Sequence, residues 1–594
     1  MISAFAVLAC LASVQGAEPA ELLAGAVRHA DQYYAKVASE PIKQVGSRDL
    51  FSAALAYAVA GQHLDRLERL FTVAASLQDR QPESRTYGNF RWHSTAQQVE
   101  DLNAVDFCMQ PGAVLLLEHR EQMPPAARAL FDELIRHGVE GSLRHRVTPS
   151  YTNIALMNAG NLILLGEGLG RPEVTAEGRA RLDRVVLDIW EHGIHEYGSP
   201  TYYGVDLHDL VVLERLTRDD ATRQVARALL ELFWSDIAAN WHLGAGKYTG
   251  ARSRDYDYLR GLGILDLNLW VEGWLADSSL KPSLGTLIPL LAKWIPSVRV
   301  EQLRHRYPRL VRQRWGAGPT DVRSHYLLPE VALGTAGRTY GNMDIPLAVD
   351  FAGPRQSVRA YFIADARHDP YGKLKVPAGG GHDKTIHLTP MWTAAQAGGD
   401  ALGLVVYRPK DIPEGASSLE SHLVLPRAVD ALYVGEQQQP IGAPFECEVP
   451  AGSVVTLRRG TAAASFRLLW ARDSSGQAAR TMLVDDGNPH GALRLTTTHG
   501  IGPQPYPAAA YWVRVGSSLD EAALTTWRRE FEAARPSVAI TPTGVTLSAA
   551  APAGELRIEA LVPYEQAPRL LPAPSPAVLE VDGQEIGRPL LEPL

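Results

Sequence analysis

The spacing of apolar residues changes once along this chain, and that change constrains the fold more than any other feature. Between about residues 21 and 296, Leu, Ala and Arg dominate and apolar side chains recur at helical intervals. This pattern predicts about ten to twelve α-helices joined by short turns that contain Gly or Pro. From about residue 322 the segments become short, β-branched and alternating, which is typical of stacked antiparallel sheets. The chain is therefore predicted to be helical first and β-sheet second.

Four parts follow from this pattern. Residues 1–17 hold an apolar run that ends in small residues and predict a signal peptide, although no Lys or Arg precedes the run. Residues 18–300 predict many antiparallel helices without a strict repeat, which suit an incomplete (α/α) toroid, with a superhelical repeat array as the alternative. The basic, Pro-interrupted residues 301–320 are interpreted as a linker. Residues 321–594 predict an antiparallel β-sandwich domain, with a small terminal sheet from about residue 536.

Length and charge narrow the possible functions. A chain of 594 residues can bury two or three hydrophobic cores. Its formal net charge of −8 argues against nucleic acid as the main partner, but a locally basic cleft could still bind a polyanion. After the N-terminal run, no segment has the length and apolarity of a membrane helix, so we expect a periplasmic or secreted protein rather than a membrane-spanning one.

Two polar positions stand out in the helical half. Asn153 opens a run, residues 153–166, that is apolar on every side, as expected of a helix buried within a large helical domain. An amide on such a helix needs a partner, either in the core or in a ligand. Further along, Ser199 and Pro200 form a helix-start signature that places Tyr202 in the first turn, where the helix dipole would favour a phenolate. The structural alternative for both positions is an ordinary buried side chain.

These two segments resemble motifs of the heparinase II/III-type polysaccharide lyases. The helix that starts at Asn153 is similar to the family's Asn-His-(x)3-Asn-Ala helix, and residues 199–202 are similar to its Ser-Pro-x-Tyr-His segment. Ile154 stands where the family usually has a His, and Tyr203 stands where the second His would be. The resemblance implies a helical toroid followed by β-sheets, in agreement with the order of the predicted domains.

The resemblance also implies a reaction and the residues that would perform it. Lyases of this kind cleave uronic-acid-containing polysaccharides by β-elimination, which needs a neutraliser for the substrate carboxylate, a base and an acid. By resemblance, Asn153 is the neutraliser and Tyr202 is the base, the acid or both. A shift of one residue in the alignment would give that role to Tyr203. His325 lies early in the β half, where family members extend a His or Tyr across the domain interface, and is a second candidate base or carboxylate partner.

Further polar and aromatic residues are candidates for binding an anionic sugar chain. Arg offers a two-pronged donor to carboxylate or sulfate, and an exposed aromatic ring could line a sugar subsite. The alternative for each candidate is a structural or solvated side chain, and for Arg252 and Arg254 it is a charged loop with Asp255 and Asp257 as partners. The candidates are Arg91, Trp92, Asn103, His195, His208, His242, Arg252 and Arg254.

One more segment resembles a metal-binding motif of the same family. Residues 379–387, Gly-Gly-Gly-His-Asp-Lys-Thr-Ile-His, loosely resemble the His-x-His-x-Asp strand that helps to hold a metal in some members. The resemblance suggests His382, Asp383 and His387 as ligands of a structural divalent metal in the β domain. Their spacing differs from that of the family, and a glycine-rich active-site loop is the alternative. The predicted elimination itself requires no cofactor.

The sequence therefore predicts an exported polysaccharide lyase whose partner is an anionic, uronate-containing polysaccharide of the glycosaminoglycan or the alginate/glucuronan kind. Two alternatives remain open. A glycoside hydrolase on an (α/α) toroid would need paired carboxylates, which Glu196, Asp206 and Asp209 could supply. A non-catalytic carbohydrate-binding protein would keep the site only as a remnant, which would explain the missing His after Asn153.

Overall fold

The structure is a computed structural model that describes residues 18–276, 279–292, 294–354, 358–371, 388–502 and 506–592. Within these residues the chain is mainly helical up to Arg304 and mainly β-sheet from Arg309 onward. None of the described helices is long and apolar enough to cross a membrane. The α-helices of the first half are α1 (Pro19–Val37), α2 (Ser47–Ala60), α3 (Leu67–Leu77), α4 (Ala104–Val114), α5 (Pro125–Arg144), α6 (Thr152–Leu169), α7 (Pro172–His192), α8 (Tyr202–Leu216), α9 (Asp220–Asn240), α10 (Leu265–Val271), α11 (Leu287–Leu291) and α12 (Val298–Arg304).

Helix α6 lies inside the helical half. Every residue from Thr152 to Gly166 is buried, and helices α4, α5, α7 and α8 pack around it. An all-round apolar sequence is what such a position requires, because every face of the helix contacts another helix. The amides further along α6 bond internally: Asn158 and Asn161 donate to Asp106 on α4, at 3.0 and 2.9 Å. The first turn of α6, which carries Asn153, points at the candidate site.

The described residues of the second half form three antiparallel sheets and two α-helices, α13 (Glu521–Ala533) and α14 (Arg588–Leu591). A short hairpin, β1 and β2, precedes them in the helical half. The strands are β1 (Trp241–His242), β2 (Lys247–Tyr248), β3 (Arg309–Arg314), β4 (Val322–Leu327), β5 (Val331–Ala336), β6 (Leu347–Phe351), β7 (Arg359–Asp365), β8 (Met391–Ala397), β9 (Asp400–Val406), β10 (Glu420–Pro426), β11 (Ala431–Val434), β12 (Gln437–Gln438), β13 (Phe445–Glu448), β14 (Val454–Arg459), β15 (Ala462–Arg472), β16 (Arg480–Asp485), β17 (Ala492–Thr498), β18 (Ala508–Gly516), β19 (Ser537–Thr541), β20 (Gly544–Ala551), β21 (Gly554–Leu561), β22 (Arg569–Leu571), β23 (Glu580–Val581) and β24 (Gln584–Glu585).

The three sheets are stacked in layers. An eleven-stranded sheet has the order β13-β16-β17-β10-β7-β6-β5-β4-β3-β23-β24, and a seven-stranded sheet has the order β12-β11-β14-β15-β18-β9-β8. The seven-stranded sheet is covered on both faces, as β9 shows: Ala401 and Val405 face the eleven-stranded sheet, whereas Leu402 and Leu404 face α13 and the four-stranded sheet β19-β20-β21-β22. Side chains alternate between faces along a strand, so two buried faces produce a continuous apolar run.

The stretch predicted as a linker, residues 301–320, contains structure of its own. Helix α12 ends at Arg304, and β3 joins the eleven-stranded sheet between β4 and β23. Arg309 is buried, and its guanidinium donates to the carbonyl oxygens of Ala239 and Arg306, each at 2.6 Å. The sequence predicted only a linker here, because the segment is basic and interrupted by Pro. In the fold, backbone carbonyls of the helical half satisfy the buried guanidinium.

A buried network of charges joins the helical half to the eleven-stranded sheet. Lys247 lies 2.9 Å from Asp350 on β6, measured from Nζ to Oδ1. Asp255 accepts a hydrogen bond from Arg359 on β7 at 3.0 Å, and Arg252 lies 3.9 Å from Asp350. All five side chains are buried. The network holds the segment that follows β2, and this segment carries Arg254 into the candidate site.

Candidate functional site

A cluster of aromatic hydroxyls around one guanidinium forms where α6, α8 and the segment after β2 meet. The tyrosine–arginine cluster, as we call it, consists of Tyr151, Glu196, Tyr202, Arg254 and Tyr256. Arg254 donates from Nη1 to Glu196 Oε1 at 3.1 Å and from Nη2 to the Tyr202 hydroxyl at 3.0 Å. The hydroxyls of Tyr202 and Tyr256 are 2.7 Å apart, and the Arg254 guanidinium also lies over the rings of Tyr202 and Tyr151. The Arg254 guanidinium thus contacts each of the other four residues of the cluster.

Tyr202 is positioned by the start of α8. The Ser199 hydroxyl accepts a hydrogen bond from the Tyr202 backbone N–H at 3.1 Å, although the regular helix begins at Tyr202 itself. The sequence predicted that the helix dipole would favour a phenolate here. In the structure, burial raises the pKa of Tyr202; Tyr256 raises it further and Arg254 opposes the shift. Tyr202 is therefore a neutral phenol at neutral pH, with a cation beside its oxygen.

Arg254 is held in an unusual backbone conformation by the β half. Its φ is +45°, in the left-handed region that residues other than glycine rarely adopt. The backbone N–H of Arg254 donates to Asp344 Oδ1 at 3.1 Å, and Asp344 also accepts from the Tyr197 hydroxyl and the Tyr340 backbone N–H. Burial raises the pKa of Asp344 to about 6. The strand-connecting segment around Asp344 therefore fixes the direction in which Arg254 points.

Asn153 belongs to the site but is turned inward. Its backbone N–H donates to Glu196 Oε2 at 3.1 Å, and its side-chain amide donates to the same oxygen. Both residues lack exposed surface, and burial raises the pKa of Glu196 against the opposing attraction of Arg254. The sequence predicted that this amide would contact the substrate carboxylate. In the structure the amide contacts Glu196, because a buried carboxylate needs donors of its own.

Asn153→Ala is expected to lower both stability and turnover. The variant removes one donor from a buried carboxylate, a change that costs about 1–3 kcal/mol in the free energy of unfolding. Turnover should also fall, because Glu196 positions Arg254. Melting temperature and turnover should be measured on the same preparation. The matched control is Asn158→Ala on the same helix, which should lose stability alone; unchanged melting of Asn153→Ala with a large loss of turnover would instead indicate direct substrate contact.

The structure places Tyr203 and His325 in the interior. The Tyr203 hydroxyl donates to Asp236 Oδ2 at 2.7 Å, and His325 Nδ1 is 2.9 Å from Asn240 Oδ1. Both side chains are fully buried, and burial lowers the pKa of His325 well below its ordinary value. A base or acid must reach the substrate, so these positions contradict the roles predicted for both residues.

Three of the predicted substrate-binding residues are buried, and a fourth lies against a carboxylate. Arg252 is fully buried and donates to the carbonyl oxygens of Gly261 and Tyr248, at 2.6 and 2.7 Å. His242 bonds to the Leu328 carbonyl, and burial lowers the pKa of His208 to about 3 and that of His242 to about 4. The fourth residue is His195, whose Nε2 lies 2.9 Å from Asp188 Oδ2. A buried neutral imidazole or an occupied guanidinium has little to offer a polyanion, so the structure contradicts the predictions for Arg252, His208 and His242, and the role of His195 stays a prediction.

One of the three N-terminal candidates contacts the site. Asn103 donates to the Tyr151 hydroxyl at 3.2 Å, which connects it to the tyrosine–arginine cluster. Trp92 is half-buried and donates from its indole N–H to Asp101, and Arg91 donates to the Ala96 carbonyl oxygen. Of the three, only Asn103 contacts a cluster member. The predicted metal ligands lie outside the described residues; they are His382, Asp383 and His387.

Sequence reasoning did not assign a role to Tyr256 or Tyr151. The only sequence signal for Tyr256 is that it lies two positions after Arg254 in the same segment. No comparable signal marks Tyr151, whose contact with the guanidinium depends on the packing of α6 against the segment after β2. Glu196 was considered only as a hydrolase carboxylate.

Comparisons with known proteins agree with this architecture. A family model described as "Domain of unknown function (DUF8769)" matches residues 45–283. No curated protein matches the chain. The structure of a Paenibacillus xanthan lyase is similar in fold, with a TM-score of 0.50, 9% identity, and coverage of 91% of this chain and 61% of that one. The chain thus spans less than two thirds of that lyase, and the likeness confirms the predicted helical toroid followed by antiparallel β-sheets.

Two further solved structures are similar at lower scores. A chondroitin AC lyase of Streptomyces coelicolor A3, in complex with chondroitin sulphate, has a TM-score of 0.44 and 13% identity, and the match covers 92% of this chain and 89% of that one. A heparinase III gene product has a TM-score of 0.37 and 10% identity, with coverage of 86% and 83%.

Proposed function

We propose that this protein is a polysaccharide lyase that cleaves a uronate-containing polysaccharide by β-elimination, with Tyr202 as the proton-transfer residue. The observation that carries the proposal is the Tyr202 hydroxyl held between the Arg254 guanidinium and the Tyr256 hydroxyl, at 3.0 and 2.7 Å. The toroid-plus-sheet fold of the xanthan lyase supports the reaction class by analogy. Export, and a substrate of the glycosaminoglycan or alginate/glucuronan kind, form part of the same proposal.

The reaction follows from the chemistry of the cluster. Tyr202 acts as a phenolate, which removes the proton at C5 of the uronate, and the phenol then returns that proton to the leaving glycosidic oxygen as the C4–O bond breaks. No proton is gained or lost overall. Burial opposes the phenolate, and the N–H of Arg254 and the O–H of Tyr256 are donors that would stabilise it. In this proposal Arg254, rather than Asn153, also offsets the charge that develops beside the uronate carboxylate.

The hydrolase alternative has less support in the structure. A glycoside hydrolase needs two carboxyl groups that face the same bond. Asp206 and Asp209 are buried within α8, and burial raises the pKa of both well above the ordinary value. Glu196 is already bonded to Asn153 and Arg254. These carboxyl groups therefore do not form a pair that faces a substrate cleft.

The test is a product analysis with a panel of polysaccharides: hyaluronan, chondroitin sulfate, heparan sulfate, alginate, glucuronan and xanthan. A lyase forms an unsaturated uronate, which absorbs in the ultraviolet, and its fragments contain no added water. A hydrolase forms saturated fragments that are one water heavier. Binding to any member of the panel without fragments would overturn the enzymatic proposal in favour of a carbohydrate-binding protein.

Arg254→Lys is expected to lower turnover by about 10², the lower end of the effect of removing a donor to developing charge. Lysine keeps the positive charge but lacks the planar fork that reaches Glu196 and Tyr202 at once. The measurement is the initial rate on the best substrate of the panel. Arg514→Lys is the matched control for folding, because Arg514 is buried on β18 and donates to Asp400, and it contacts no member of the tyrosine–arginine cluster; an equal loss of rate in both variants at equal stability would argue against a specific role for Arg254.

A further inference from the structure

A second group of ligand-type side chains lies away from the tyrosine–arginine cluster, on the eleven-stranded sheet. Asp365 ends β7, and Glu420 and His422 lie at the start of the neighbouring strand β10. The strands pair antiparallel with Glu420 directly opposite Asp365. His422 is two positions further along β10, so all three side chains project from the same face.

This arrangement juxtaposes two carboxylates without a permanent cation between them. Like charges directly opposite each other on a sheet are destabilising. Asp365 and His422 are almost completely buried, which removes the screening that water would provide. Among the described residues, neither Asp365 nor Glu420 forms an ion pair with Lys or Arg; their nearest nitrogen-bearing side chains are His422 and, for Glu420, also His368.

The distances suit a small tetrahedral ion. His422 Nε2 lies 3.4 Å from Asp365 Oδ2 and 3.8 Å from Glu420 Oε2, and the three ligand atoms lie within 4.8 Å of one another. Zinc binds nitrogen and oxygen at about 2.0–2.2 Å, and two ligands of a tetrahedral ion at that bond length are about 3.4 Å apart. The ligand atoms therefore need to move by about 1 Å or less.

The ligands are also oriented as metal ligands are. His422 Nδ1 is 2.9 Å from the Thr496 hydroxyl, so the Nδ1–H can donate to Thr496 and leave Nε2, which faces the carboxylates, available to coordinate an ion. The backbone N–H groups of Arg367 and Asp369 donate to the two oxygens of Asp365, at 2.7 and 2.6 Å. These bonds hold the imidazole and the carboxylate in place before any ion binds.

One side of the group opens to a cleft. The cleft has a volume of about 290 Å³, and its lining includes His368, Glu420, His422 and Thr496. His368 is exposed, and its Nδ1 lies 3.6 Å from Glu420 Oε2. An ion could enter from this side, and its fourth position would face water or His368.

We propose that Asp365, Glu420 and His422 form a binding site for a divalent transition metal, of which Zn²⁺ is the representative ion. One nitrogen and two carboxylate ligands match the preferences of zinc, whereas Ca²⁺ prefers an all-oxygen shell of more ligands. The ion neutralises the paired carboxylates and ties β7 to β10. The ligands are different from His382, Asp383 and His387, and the proposal is independent of the lyase reaction.

The experiment is a titration of the chelator-treated full chain with Zn²⁺, followed by calorimetry and by melting with and without the ion. One Zn²⁺ per chain is expected to bind at this site and to raise the melting temperature. Glu420→Gln and His422→Gln should each weaken this binding by more than about 100-fold, because even the loss of an outer-shell partner costs about 10–100-fold. Thr496→Val should show that smaller loss. His63→Gln, in the helical half, is the control and should bind as the unmodified chain does.

A separate readout distinguishes a metal site from a histidine bonded to two carboxylates. Without metal, Glu420→Gln should melt at the same temperature as the unmodified chain or higher, because a like-charge contact is removed. With Zn²⁺ the order should reverse. The proposal is overturned if the unmodified chain binds no Zn²⁺, if both ligand variants bind it as tightly as the unmodified chain, or if excess Ca²⁺ displaces it.

Discussion

Tyr202→Phe is expected to lower turnover by about 10²–10⁴-fold, the usual contribution of a positioned acid or base. The variant deletes the hydroxyl that lies between Arg254 and Tyr256 and keeps the aromatic ring that packs under the guanidinium. Substrate affinity should change little, because the ring and the charge remain. Single-turnover rates and equilibrium binding on the same substrate separate the two effects.

The neighbouring tyrosine is the matched control. Tyr203→Phe makes the same chemical change one residue away, but its hydroxyl bonds to buried Asp236. We expect Tyr203→Phe to lose stability by about 1–3 kcal/mol and to keep most of its turnover. A normal rate for Tyr202→Phe would remove the proposed mechanism. A large loss in Tyr203→Phe alone would show that the chemistry takes place around Asp236 rather than around Arg254.

The pH dependence of the rate is an independent test of proton transfer by Tyr202. Burial raises the pKa of Tyr202, so the phenolate is a minor species at neutral pH. A reaction that starts from the phenolate should accelerate as the pH rises, without a plateau in the accessible alkaline range, because burial holds the pKa of Tyr202 above that range. A rate that falls through the same alkaline range would indicate that Tyr202 acts only as an acid.

The fold could be predicted from the sequence because local patterns encode it. The apolar run after Asn153 predicts a helix that is buried on all sides, and α6 is buried from Thr152 to Gly166. The alternation after residue 322 predicts antiparallel sheets, and three are present among the described residues. Likewise, the Ser199-Pro200 signature predicts a helix start within a few residues of where α8 begins. Each inference needed only a short window of sequence.

The site was less predictable because its members depend on packing between distant segments. Arg252 and Arg254 look equivalent in the sequence, yet Arg252 is fully buried against backbone carbonyls while Arg254 reaches two tyrosine hydroxyls. The backbone conformation of Arg254 depends on Asp344, which is ninety residues away in the chain. The prediction for His325 was wrong for a similar reason. The position of a residue on a strand does not specify which side of a domain interface its side chain faces.

The buried charge network between the two halves is expected to make a large contribution to the stability of the fold. Asp350 lies among Lys247, Arg252 and Arg359, and the four side chains are buried. Burial alone would raise the pKa of Asp350, but attraction by the three cations outweighs burial and lowers it well below the ordinary value. A carboxyl group with a depressed pKa stabilises the folded state above the pKa of the unfolded chain, about pH 4, and loses that contribution as the pH falls below it.

Asp350→Asn is therefore expected to lower the free energy of unfolding by about 3–5 kcal/mol at neutral pH, because it leaves buried cations without their counter-charge. The measurement is urea denaturation at neutral pH and at about pH 4, where the difference from the unmodified chain should begin to shrink. Glu121→Gln is the control, since Glu121 forms exposed ion pairs with Arg120 and Arg128 that should contribute at most about 1 kcal/mol. Turnover should fall as well, because the network holds the segment that carries Arg254. If Asp350→Asn is as stable as the control variant, the two halves are held together by their apolar contacts, and Arg254 is positioned by Asp344 alone.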